Sequence, residues 1–189
     1  MSVQTIKDQQ ELIGLITKAI GKNHAVEISD ALYRQGFDLN ELMAVTFHPE
    51  KEIAFRAAWI MENLILADPA RFVNSLDKLI QLFLKNENKS CQRHYVKILM
   101  HLLERKVPKN IKQKIVEMDM GPVAERCFDL LIDATTPDAV KVFASQVLFD
   151  LRVRYPWIND MLADQLLIMM QGAKPAIRSK CQRLLSYLA

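Results

Sequence analysis

One five-position apolar pattern recurs four times in this chain: Ile53/Ala57/Ile60/Met61/Leu64, Cys91/Tyr95/Ile98/Leu99/Leu102, Val140/Ala144/Val147/Leu148/Leu151 and Ile177/Cys181/Leu184/Leu185/Leu188. The offsets within each copy are 0, 4, 7, 8 and 11, which trace one stripe of an α-helix. Successive copies lie 38, 49 and 37 residues apart. The repeating unit is therefore longer than one helix and has the length of a helical pair with its turns. Such a pair exposes an apolar flank that only the next pair can cover, so the period predicts a solenoid of stacked pairs.

The residues between the stripes place the elements. An opening pair is predicted at 5–20 and 23–35, stopped by Gly21 and Gly36; only Ile28, Ala31 and Leu32 fit the template there, as in a terminal capping unit. The second pair covers 39–47 and 50–67, with Pro49 ahead of its second helix, and the third covers 69–86 and 89–105. An additional segment at 108–118, predicted as a short extra helix, fills the longer interval before the fourth pair at 122–134 and 138–154. The fifth pair covers 158–171 and 175–188. With only five Gly and seven Pro, and almost no alternating pattern, the chain is read as helices with short connections.

Two-helix units of this length, with a Pro near the inner turn and a second helix reading Glu50-Lys-Glu-Ile-Ala-Phe-Arg-Ala-Ala-Trp59, resemble HEAT repeats. The extra segment before the fourth pair is similar to the armadillo variant. The Arg-Ala-Ala core occurs once, at Arg56, Ala57 and Ala58; His94, Phe143 and Lys180 stand at the equivalents of Arg56. The resemblance implies one all-α domain over 1–189, a right-handed α–α superhelix of about five helical pairs. Residues 1–36 form its capping pair and 37–189 its repeats. It also implies a non-catalytic scaffold that binds a protein partner.

If the stripes are buried, the same register puts a second set of residues on the opposite side of each second helix: Arg56, Trp59 and Asn63; His94, Lys97 and His101; Phe143, Gln146 and Asp150; Lys180, Arg183 and Tyr187. In HEAT-like solenoids the second helices line the concave surface. These twelve residues are thus the expected partner-binding groove, mixing cations with aromatic and amide groups as interfaces do.

Charge adds a rival reading. Residues 85–114 hold nine Lys or Arg against Glu87 and Glu104, a local +7 in a chain of net +3, so the remainder sums to −4. A patch of this kind attracts phosphates or acidic surfaces. The alternative function is therefore a nucleic-acid-binding or DNA-repair protein of HEAT-like fold using this basic central patch.

Enzymatic chemistry has little to build on. His94 and His101 are seven residues apart, not the four of a two-histidine metal helix, and no Gly-rich phosphate loop or nucleophile elbow is present. Alkylpurine DNA glycosylases also use HEAT-like repeats, but their clustered Trp and Asp motif is missing, although Trp59, Asp150 and Trp157 supply the residue types. The signature loop of the helical lyases is missing as well. No catalytic residue, metal or cofactor is expected. Three cysteines, an odd number, two of them in core positions, suit a reducing cytoplasm. The first residues lack the pattern of a secretion signal, and no apolar run is long enough for a membrane span. A cytoplasmic monomer is expected.

Overall fold

A computed structural model describes residues 6, 8–18 and 21–188. The described residues form helices α1 (Gln9–Lys18), α2 (Lys22–Gln35), α3 (Leu39–Val45), α4 (Lys51–Ala67), α5 (Leu76–Lys85), α6 (Lys89–Leu102), α7 (Lys109–Glu117), α8 (Gly121–Ile132), α9 (Asp138–Leu151), α10 (Ile158–Met170) and α11 (Pro175–Leu185). Parts of the predicted first helix, at 5, 7, 19 and 20, lie outside the described residues. The second helices of the pairs, α2, α4, α6, α9 and α11, pack on one another in that order, and the first helices form the other layer. One apolar core runs between the layers from Leu12 to Leu184.

The recurring stripe is that core. Seventeen of its twenty residues are buried; the other three, Ile177, Leu185 and Leu188, are half-buried and all belong to the last copy. Among the described residues no further pair packs on α11 to cover them. α7 occupies the long interval and packs against the 69–75 segment through Ile111, while Asn110 Nδ2 donates to the Ala70 carbonyl at 3.0 Å and Lys114 pairs with Asp77 at 2.5 Å.

Local chemistry sets the element ends. Asp38 caps α3 through the Asn40 amide (2.9 Å) and Asn88 caps α6 through the Ser90 amide (3.1 Å). Gly36, at φ 65°, ends α2 in a left-handed turn in which the Phe37 amide reaches the Leu32 carbonyl (3.1 Å) and its own amide reaches Tyr33 (3.3 Å). Arg71 then covers this end, donating to the Tyr33 carbonyl at 2.9 Å with its guanidinium 4.3 Å from the Tyr33 ring.

The third pair departs from the sequence expectation. Residues 69–86 are not one helix: Pro69–Ser75 is a 3-10 segment, and the α-helix begins only at Leu76. Phe72 leaves helical geometry (φ −104°, ψ 16°) to bury its ring, and neighbouring Arg71 and Asp68 are both engaged with Tyr33. Tertiary contacts with the opening pair therefore override helix continuation here.

The turns inside each pair are tied across repeats by buried polar groups. Asn86 Nδ2 donates to the Thr46 carbonyl (3.4 Å), while the Asn86 carbonyl accepts from Gln92 Nε2 (2.9 Å) and Arg126 Nη2 (3.3 Å). Thr46 and the fully buried Tyr95 share a hydroxyl contact of 2.7 Å, and burial raises the Tyr95 phenol well above its ordinary range.

Candidate partner-binding face

The twelve candidate residues lie on the five-helix layer, but not on the side opposite the stripe. At 100° per residue each triad is centred about 110° from its stripe. That rotation turns the first member of each triad toward the preceding repeat. Arg56 donates from Nη1 to the Ile16 and Thr17 carbonyls (3.1 and 2.9 Å), capping the end of α1, and pairs with Glu52 at 3.0 Å. His94 is buried against α4, with Nδ1 2.7 Å from Glu62 Oε2 and its ring stacked on Trp59 at 6.4 Å. Lys180 donates to Gln146 Oε1 of α9. Phe143 is half-buried against the core. Arg56, His94 and Lys180 thus tie their repeats to the preceding ones.

The second rung faces outward. Trp59 is half-buried between Phe55 (5.9 Å) and His94; Lys97 reaches Glu62 Oε1 at 2.5 Å; Gln146 Nε2 donates to both Asp150 oxygens at 3.0 Å; Arg183 is exposed, its carbonyl accepting from Ser186 Oγ (2.9 Å) and its guanidinium making no hydrogen bond or ion pair to any described residue. In the third rung, Asn63 is half-buried with Nδ2 unpartnered, and His101 Nδ1 lies 2.7 Å from Glu104. Tyr187 is exposed, edge-on to Phe149 at 6.0 Å, and the Arg152 guanidinium covers that same Phe149 ring at 3.5 Å.

Two polar nodes result. At the α4–α6 contact, burial works to raise the Glu62 carboxyl, but hydrogen bonds and charge from His94 and Lys97 outweigh it and hold the group below its ordinary 4.5. At the α9–α11 contact, burial and the charge of Glu104 push Asp150 up despite Gln146, Arg152 and Lys180. Lys180 is pushed down by burial and by neighbouring Arg183. A cavity of about 210 Å³ beside the first node is lined by Gly21, Ala25, Glu52, Phe55, Arg56, Trp59 and Ile60.

Sequence reasoning missed Glu62, the acceptor that organises the first node. A signal was present: it is the one charged residue in the run Ala57–Ala67. An acid there has to find a cation or face water.

The basic segment is dispersed. Lys85 and Lys89 stand at the start of α6, with Lys89 paired to Asp133; Lys97 and Lys114 are taken by Glu62 and Asp77; Arg105, Lys106, Lys109 and Lys112 lie at the opposite end of α6, about 21 Å away by helix length. The nine cations therefore do not form one groove. All three cysteines are buried and unpaired, and burial pushes the Cys91 thiol up to about 12. No group of three or more His, Cys, Asp or Glu with metal-binding geometry occurs among the described residues, and no described helix is long and apolar enough to cross a membrane.

A family model for the HEAT repeat domain matches residues 14–188. No curated protein and no solved structure reaches the level of a match. With a match of that extent over a continuous stack of helical pairs, the chain belongs to the HEAT repeat domain family.

Proposed function

We propose that this chain is a non-catalytic scaffold that binds a protein partner along the face of its second helices. HEAT repeats are generally protein-interaction scaffolds. The observation that supports the reading is the ordered packing of α2, α4, α6, α9 and α11, which brings the helices carrying Trp59, Lys97, Gln146 and Arg183 side by side in chain order. Neighbouring side chains restrain three of these residues before any partner arrives: Lys97 is held by Glu62, Trp59 by Phe55 and His94, and Gln146 by Lys180. Side chains already ordered lose little freedom on binding, so the ordering cost falls on the partner. The unpaired thiols suit a reducing compartment such as the cytoplasm.

A site-resolved photocrosslinking experiment tests the reading. A photoreactive residue is placed at Asn63, Arg183 or Tyr187, and separately at Lys78, Glu125 or Asp160 on exposed first-helix positions. In native lysate the second-helix set is expected to yield one recurrent protein adduct that the first-helix set does not. Adducts to nucleic acid from the second-helix set, or protein adducts confined to the first helices, would overturn it.

A further inference from the structure

Outside the second-helix face, the strongest unsatisfied feature is the edge where one repeat hands over to the next at α7. Ile111 is buried and Asn110, Lys114 and Ile115 are half-buried against the protein, which leaves Lys109, Lys112, Gln113 and Val116 together on the exposed side. Arg105 and Lys106 precede them in the turn. Arg105, Lys106 and Lys109 make no ion pair with any described residue, and the Lys112 ammonium donates to the Arg105 carbonyl. The acids nearby are few: Glu104 accepts from His101, Asp119 is held by Tyr155 and the Gly121 amide, and Glu117 flanks the far end. Four cations are thus left facing solvent on one short ridge.

The other end of the ridge is apolar. Val153 and Val116, 81% and 72% exposed, are the two most exposed large apolar side chains of the described residues. Arg154 Nη1 donates to the Ile115 carbonyl at 3.0 Å, which ties the segment carrying Val153 to the end of α7 that carries Val116. We infer that this ridge is a docking surface for an acidic protein segment carrying a bulky apolar residue, its carboxylates meeting Arg105, Lys106, Lys109 and Lys112 and its apolar side chain covering Val116 and Val153. Charge complementarity alone would fit a nucleic acid equally well. The valines decide against it, because a phosphate backbone gains nothing from covering them, and the ridge offers no free aromatic ring for stacking: Phe149 lies under Arg152, and Tyr155 is half-buried. This surface is separate from the second-helix face and does not rest on that reading.

The test uses the full chain and labelled probes followed by fluorescence anisotropy at low and moderate salt. The probes are a twelve-residue peptide of Glu and Asp with two adjacent Leu near one end, the same peptide with Gly for both Leu, and a 20-nucleotide single strand and duplex. The Leu peptide is expected to bind, to weaken as salt rises, and to lose about tenfold in affinity in the K109E/K112E protein, as expected for several exposed charge contacts reversed together. V153S, which removes the apolar surface without adding charge, is expected to weaken the Leu peptide severalfold while leaving the Gly peptide unchanged. K78E, off the ridge, serves as the control that should change nothing. Binding of nucleic acid at equal or higher affinity, equal binding of the Leu and Gly peptides, or no binding of the Leu peptide would each overturn the inference. Circular dichroism of each variant confirms that a loss reflects the surface and not the fold.

Discussion

Position 8 of the apolar template supplies a controlled experiment, because Leu148 and Leu185 occupy it in consecutive copies and differ in coverage. Leu148 is fully buried on α9 between its neighbours; Leu185 is half-buried on α11, on which no further described pair packs. Truncating Leu148 to Ala removes the transfer free energy of the lost carbons and leaves a closed cavity, about 3 to 4 kcal/mol in a site that cannot collapse. At Leu185 the vacated space opens to solvent, so no cavity remains and only part of the transfer free energy is lost, about 1 kcal/mol. Urea unfolding followed by far-UV circular dichroism at pH 7 gives both values from midpoints, provided the slopes agree with the parent protein. The expected difference is about 2 to 3 kcal/mol, the gap between those two figures. Equal losses, or a larger loss at Leu185, would refute the argument that stacking by the next repeat is what makes the stripe stabilising.

The Glu62 node predicts a pH dependence. Because its folded-state pKa lies below the ordinary 4.5, its contribution is fully present above that value and is lost as pH falls through the lower, folded value. Glu62→Gln is expected to cost about 1 to 3 kcal/mol at pH 7, less than a fully enclosed pair since the Lys97 side chain is 33% exposed, and the gap from the parent should narrow below about pH 4; urea titrations across pH 3–7 check this. Gly36→Ala places a Cβ at φ 65° and 3.4 Å from Arg71 Nη2, with an expected cost of about 1 to 2 kcal/mol by the same assay. A thiol reagent at pH 8 should modify none of the three cysteines in the folded protein within minutes and all three in urea, since burial keeps each protonated. Sedimentation equilibrium at tens of micromolar should return the mass of a single chain.

The core was legible because burial of a helix stripe is a periodic demand, and Ile53 through Leu151 meet it in three copies. It weakened at Ile177, Leu185 and Leu188, where the sequence carries the same residues but the stack supplies no cover. The continuity of 69–86 was not legible, because what breaks it is a set of contacts made by Asp68 and Arg71 with Tyr33 of the opening pair. The candidate face was legible only in part. Fixed offsets locate a flank correctly, yet the direction of that flank depends on how far each helix is turned within the layer. That turn sends Arg56, His94 and Lys180 back to the previous repeat, leaves Trp59, Lys97, Gln146 and Arg183 outward, and brings in Glu62, which sat one residue beside Asn63.

Site-resolved amide hydrogen exchange is the measurement closest to the central claim that stacked second helices form one body. Amides of α6 and α9, covered on both sides, should exchange only through global opening, with a free energy equal to that of urea unfolding, while α11 exchanges through cheaper local opening. Protection in α11 equal to that in α6, or separate opening of α6 and α9 at unrelated free energies, would contradict it.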